Sequence, residues 1–386
     1  MKSSKIRILG LLIAFALVIS IIGCGPKPIK EESVLDTPEN HFSRGMIELD
    51  RNRLNAAMAE FERAKALNPD YGEAYSGMGL ILAMRGDFEK ARDLADEGID
   101  KNDRSIDCRI IKGRIISMER KGDDWLEDAV KEFQRAIKIN PNSAKAHYYL
   151  GITYKMGYQF TNSANAFSKV ISMKGAYATE ANAEWEIIQK IERAAPGTKL
   201  GKKIALIEEI DRADLAVLLM EELKLMDVLK KKRPRTYDTG FKAPDDPTKM
   251  QQPGKQSLPT VTDVDKHWAK NWILEIVEAR GMDAFPDHTF RPDEKITRSN
   301  YAMIMQNILI MATGDESLAT KYIGQPSRFP DVNPSHYAYN AIALMADRGV
   351  MKADTMTGEF NLNGHMSGAD ALLMIREFQN ALRIVF

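Results

Sequence analysis

The sequence predicts an all-α protein, and three observations carry that prediction. Gly45, Gly79 and Gly113 stand 34 residues apart, as do Ala57 and Ala91, a period that fits a solenoid of helical hairpins. Further on, Ile273, Ile276 and Val277 recur at helical spacing. Gly281 breaks that run, and a second apolar helix starts behind Thr297, a residue suited to capping it. The segment 328–382 then repeats the plan of 261–309. Asp331 answers Asp263, Tyr337 answers Trp268, Gly349 answers Gly281 and Phe360 answers Phe290.

A chain of 386 residues holds two or three domains and can bury a sizeable core. Lys+Arg and Asp+Glu balance at 54 each, so no basic excess is available to neutralise phosphates, and nucleic acid is not an expected partner. The two cysteines, Cys24 and Cys108, are too few for a zinc cluster or a disulfide framework.

Residues 1–23 read as an export signal: Lys2, Lys5 and Arg7 precede an apolar run of 15 residues, Ile8 to Ile22. That run is short for a spanning helix, which needs roughly 20 residues. Ile21-Ile22-Gly23-Cys24 resembles the bacterial lipobox, which implies a lipoprotein signal peptide and acylation of Cys24; an ordinary secretory signal with an incidental cysteine is the competing reading. Gly25 rather than an acid follows the cysteine. By analogy with lipoprotein sorting, this places the chain at the outer membrane facing the periplasm. Residues 24–37 read as a flexible tether.

From 38 to 177 about four hairpin repeats follow. Phe61, Ala64 and Pro69 sit in the first and Tyr75, Gly79, Leu82 and Ala91 in the second. Gly113, Ala129, Phe133, Ala136 and Pro141 belong to the third, with four extra residues around Gly122 to Trp125. Leu150, Gly151, Tyr154 and Phe167 belong to the fourth. This pattern resembles the tetratricopeptide (TPR) repeat, whose first helices line a concave groove. Carried over, that register puts Lys145, Tyr148 and Lys155 in the groove, a cationic and aromatic lining suited to an acidic or C-terminal peptide of another envelope protein. A solvated face without ligand is the alternative. Cys108, beside Ile110 and Ile111, reads as a small buried apolar residue.

The remainder resembles three S-layer homology (SLH) units, the first of them degenerate. Unit one spans 178–227, with Trp185, Ile188 and Ile191 in its first helix, Pro196 to Gly201 as its loop, and a second helix over Leu215 to Leu225. A linker insertion, 228–260, carries five basic residues among 230–235 and five prolines. Unit two spans 261–310 and unit three 328–386. The resemblance implies a pseudo-threefold trefoil binding cell-wall polysaccharide or peptidoglycan in clefts between units. Arg212, Asp214, Asp263, Trp268, Thr297, Arg298 and Tyr337 are the candidate glycan-binding residues, an arginine clamping an acidic substituent in two hydrogen bonds. One cleft is expected to use Arg298 with Trp268. Unit three reads Ser367-Gly368-Ala369-Asp370, so its arginine is missing. The competing reading has Trp268 and Tyr337 packing the trefoil and Arg298 paired with Asp293 or Glu294.

No catalytic, cofactor or metal constellation stands out. The six histidines show no His-x-x-x-His pair, and the Asp283/Asp287 loop lacks the oxygen-ligand pattern of an EF-hand. The sequence therefore predicts a non-enzymatic envelope lipoprotein that tethers or scaffolds. The alternative is a TPR assembly factor for a secretion, pilus or outer-membrane complex, in which the SLH units serve only as structure.

Overall fold

The computed structural model describes residues 28–230 and 261–385; the candidate signal, Cys24 and residues 231–260 of the linker lie outside them. Every regular element among the described residues is helical, with two isolated β-bridges, Asp211–Lys295 and Thr297–His365. The chain divides into two units between Asn182 and Ala183.

The first unit contains four hairpins: α1 (Pro38–Asp50) with α2 (Leu54–Leu67), α3 (Gly72–Met84) with α4 (Phe88–Lys101), α5 (Ile106–Glu119) with α6 (Trp125–Ile139), and α7 (Ala144–Met156) with α8 (Phe160–Met173). Side-chain oxygens cap several starts. Thr37 accepts from the Asn40 N–H ahead of Pro38, Ser105 from Cys108 and Ser143 from Ala146, each satisfying a donor that the helix leaves open.

Within a hairpin, a glycine on the first helix meets an aromatic on the second. A Cβ on Gly113 would come within 2.8 Å of Phe133, one on Gly151 within 2.6 Å of Phe167, and Gly45 and Gly77 both face Phe61. The three phenylalanines are fully buried. In the second hairpin Ala95 takes the aromatic position, and Gly79 lies against the Ala91 carbonyl instead. First helices of successive hairpins pack on one another while the second helices splay, so the first helices form the concave side. Ser117 and Thr153 join α5 to α7 by a buried hydroxyl pair at 2.9 Å. Burial pushes the Cys108 thiol up to about 11, leaving it an inert core residue.

The structure corrects the expected tether. Residues 28–37 are pinned to the first hairpin: the Ile29 N–H donates to the Ala66 carbonyl at 2.8 Å, and buried Asp36 accepts from Arg63 Nε at 3.0 Å and its Nη2 at 2.5 Å. His41 adds a contact at 2.8 Å to the same carboxylate. The Arg63 guanidinium holds the Asp36 carboxyl well below the usual carboxylate range. Two prolines and mixed charge suggested flexibility, but one bidentate pair orders the segment.

The second unit holds α9 (Ala178–Ala194, which crosses the division), α10 (Lys199–Ile204), α11 (Arg212–Glu221), α12 (Leu225–Lys230), α13 (Lys270–Glu278), α14 (Arg298–Thr313), α15 (Tyr339–Asp347) and α16 (Gly368–Val385). Two expectations change here. The expected loop, 196–201, gives way at Lys199 to a helix that runs to Ile204; Gly201 lies inside it, where a Cβ would overlap the Glu222 carboxylate. The second helix of unit one starts at Arg212 and ends at Glu221. Lys224, with φ 55°, separates it from α12, which runs on to Lys230 and shortens the expected linker.

Phe61 fills the space between two glycines, so nothing nearby can collapse into the hole that its removal leaves. Phe61→Ala is expected to destabilise the hairpin unit by about 3–5 kcal/mol in urea unfolding followed by circular dichroism.

Candidate functional site

Three single residues close a ring of backbone hydrogen bonds. The Ile210 N–H donates to the Met366 carbonyl at 2.9 Å, Met366 donates to Ile296 at 2.9 Å, and Ile296 donates back to Ile210 at 3.1 Å. All three residues are buried. Each immediately precedes a helix cap: Asp211, Thr297 and Ser367 accept the N–H groups of Asp214, Asn300 and Asp370. Helices α11, α14 and α16 therefore leave a common axis, and the three helix–loop–helix segments gather around it.

The arginines one step inside the caps tie each unit to the next. Arg212 of unit one donates from Nε to the Phe290 carbonyl at 2.7 Å and from Nη2 to Asp283 at 2.9 Å, both in unit two. Arg298 of unit two does the same in unit three, to Phe360 at 2.7 Å and Lys352 at 2.8 Å. Each guanidinium lies 4.6 Å from the ring centre of the phenylalanine whose carbonyl it holds. Burial lowers both guanidinium pKa values, and two of five N–H groups in each are committed to carbonyls. Arg298 thus holds backbone carbonyls and not the Asp293 or Glu294 carboxylate.

The receiving loops are held by matching carboxylates. Asp263 accepts from the Phe290 and Arg291 N–H groups at 2.8 and 2.7 Å, and Asp331 from Phe360 and Asn361 at 2.8 and 2.6 Å. Arg291 and Asn361 both carry φ 55°, the turn these paired bonds fix. Unit three closes differently. The Gly368 N–H donates to Ile207 of unit one at 2.8 Å, and a Cβ at 368 would overlap the Ile204 carbonyl oxygen. Lys190–Asp370 at 2.8 Å and Gln379 donating to the Glu222 carbonyl at 2.9 Å add to the same seam. No arginine side chain fits there because the Ile204 carbonyl at the end of α10 occupies the space.

The candidate residues separate by exposure. Asp214 is buried and closed on Asp211, Thr297 is occupied as a cap, and both oxygens of Asp263 serve the loop. Trp268 and Tyr337 stand out, 53% and 73% exposed. Trp268 belongs to unit two, whose loop receives Arg212, and Arg298 reaches away from it into unit three. His267, beside Trp268, approaches Asp293 at 3.6 Å, and the next residue, Glu294, accepts the Arg212 N–H at 3.0 Å. Arg298 instead faces unit three, the unit that carries Tyr337. In each aromatic pair the histidine Nδ1 accepts the N–H two residues on, His267 from Ala269 and His336 from Ala338, both at 3.2 Å. The repeated His-aromatic-Ala was visible in the sequence but not singled out. Phe285 and Arg291, which stack beside Arg212, carried no such signal.

On the first unit, Lys145 pairs with Asp107 at 2.6 Å across neighbouring first helices. Tyr148 packs into a cluster with Tyr149, Phe167 and Tyr177, its ring 5.0 Å from that of Tyr177, so it serves packing as well as any groove. Lys155 is half-buried on the same helix. At the register of Lys145 the three preceding first helices carry Glu39, Glu73 and Asp107, an acidic row that the reading of a cationic groove missed.

The S-layer homology domain model matches residues 262–302 and 328–372, and tetratricopeptide repeat models match 42–105 and 126–157. The chain thus carries TPR repeats and two SLH domains, modules that mediate protein interaction and bind cell-wall polymers. The model match stops short of unit one, which the hydrogen-bond ring includes. Over 127 residues the chain is 29% identical to Cell surface glycoprotein 1 of Acetivibrio thermocellus, covering 32% of this chain and 5% of that protein. It is 26% identical over 114 residues to Anaphase-promoting complex subunit 3 of Schizosaccharomyces pombe, covering 30% of this chain and 16% of that one. The chain therefore spans only a small part of these relatives. Among solved structures, a thermophilic TPR protein of Thermus thermophilus aligns with 49% of this chain and 94% of its own, at 18% identity and TM-score 0.36. Pseudomonas aeruginosa pilF aligns with 51% and 90%, at 13% identity and TM-score 0.34.

Burial, and then the neighbouring Asp211 carboxylate, push the Asp214 carboxyl up to about 6. The fold then binds more protons than the unfolded chain between the ordinary carboxylate range and pH 6, so stability falls as pH rises through that window. Unit two has Asn300 at this position. Asp214→Asn is expected to raise stability at pH 7 by on the order of 1 kcal/mol and to change little at pH 4, in thermal unfolding at the two pH values.

Proposed function

We propose that the protein is a non-enzymatic envelope lipoprotein, rooted through Cys24 in the outer membrane and facing the periplasm, that grips cell-wall polysaccharide or peptidoglycan with its trefoil. The observation that carries this reading is the pair of arginine-tied junctions: Arg212 reaches the loop of unit two, which carries exposed Trp268, and Arg298 reaches the loop of unit three, which carries exposed Tyr337. In each, three guanidinium N–H groups lie outside the two bonds to carbonyls, and the unit that receives the arginine also carries an exposed aromatic ring. The remaining N–H groups suit an acidic substituent, and the ring offers an apolar face to a sugar. Asp263 and Thr297 act behind this surface by fixing loop and helix.

The TPR groove supplies the second attachment, to a segment of another envelope protein. The acidic row of Glu39, Glu73 and Asp107 beside Lys145, with Tyr148 and Lys155 further along, suits a partner segment carrying both signs of charge. The balanced composition of the chain speaks against nucleic acid.

The test is co-sedimentation of the full chain, made soluble by Cys24→Ser, with isolated sacculi. Trp268→Ala and Tyr337→Ala remove exposed rings without disturbing the core. Each alone is expected to weaken retention, and the double variant to lose at least roughly tenfold in affinity. Equal retention of double variant and parent would remove glycan binding from the junctions and favour an assembly role.

A further inference from the structure

We propose that residues 29–35 form a membrane-contact collar that seats the first TPR hairpin directly on the lipid surface; the inference rests on the acylation of Cys24 put forward above. Three large apolar side chains are exposed within this short stretch: Ile29 at 52%, Val34 at 91% and Leu35 at 64%. Their backbone is not loose. The Ile29 N–H is bonded to the Ala66 carbonyl, the Glu32 N–H to Asp36 at 2.7 Å, and the Leu35 carbonyl to the Asn40 side chain at 2.5 Å. Asp36 in turn is clamped by Arg63 and His41.

Exposed apolar groups on a rigid segment are costly in water, and an adjacent lipid surface removes that cost. The length of chain back to the acylated residue identifies the surface. Cys24 lies five residues before Ile29, so the two are at most about 18 Å apart. An acyl group at Cys24 therefore keeps Ile29 within about 18 Å of the membrane, close enough for a turn carrying apolar side chains to reach the headgroup boundary. The collar and the acyl chains then act as two signals on one rigid body. The first hairpin takes a fixed height above the bilayer instead of swinging on a long leash.

The experiment uses the full chain expressed with its own signal, its acylation read by intact mass, in vesicles of phosphatidylethanolamine and phosphatidylglycerol. With Cys24 acylated and Cys108 buried, a Val34→Cys variant offers one reactive thiol for an environment-sensitive fluorophore, and Asn142→Cys serves as the distant control. The label at 34 is expected to shift to shorter wavelength and to be quenched by aqueous iodide roughly fivefold more slowly than the label at 142. Adding Ile29→Asp and Leu35→Asp is expected to abolish that protection while the chain stays with the vesicles. An acylated chain whose label at 34 is quenched as fast as the control overturns the collar alone. A mass without acyl groups overturns both the collar and the lipid anchor.

Discussion

The second unit depends on three buried hydrogen bonds that run head to tail among Ile210, Ile296 and Met366. Each bond satisfies an amide that would otherwise be orphaned in the core, where an unmet donor costs about 1–3 kcal/mol. Because every member both gives and receives, no one of the three units can leave without stranding two groups. The caps, the arginines and the loop-holding carboxylates all connect to this ring, so their positions follow from it. Two arginine-tied junctions and one backbone seam flank it.

Much of this was legible in the sequence because it is local. The 34-residue period marked out the hairpins, and a glycine followed by an aromatic on the next helix is a packing motif within one hairpin. The capping residue Thr297 was readable for the same reason. The missing arginine at Gly368 was also visible, but its cause was not: the Ile204 carbonyl that occupies the space comes from a distant part of the chain. Nor could spacing reveal that Arg212 and Arg298 each reach forward to the loop of the next unit, since that choice is made by the direction in which the ring runs.

The remaining differences came from side chains that override composition. Residues 24–37 read as a leash by their two prolines and mixed charge, yet a bidentate bond between Asp36 and Arg63 helps order 28–36. Residues 196–201 read as a loop, yet 199–201 open a helix, and Gly201 lets Glu222 approach closely enough to hold the preceding turn through the Gly197 and Thr198 N–H groups, both at 2.9 Å. Tyr148 looked like a groove residue by register, yet three neighbouring rings use it as packing. In each case the deciding partner lies too far along the chain for a pattern of residue types to announce it.

The filled seam has a consequence for how the trefoil stays shut. Units one and two, and units two and three, are joined by the polypeptide itself, so a transient opening there is followed by rapid return. Between unit three and unit one there is no such covalent leash, and a circle broken at that point would spread like an unfastened bracelet. Gly368 permits backbone to lie on backbone at that one place, with the Lys190–Asp370 pair and Gln379 on Glu222 beside it. At this edge, which no stretch of chain links directly, backbone contact takes the place that an arginine holds at the other two junctions.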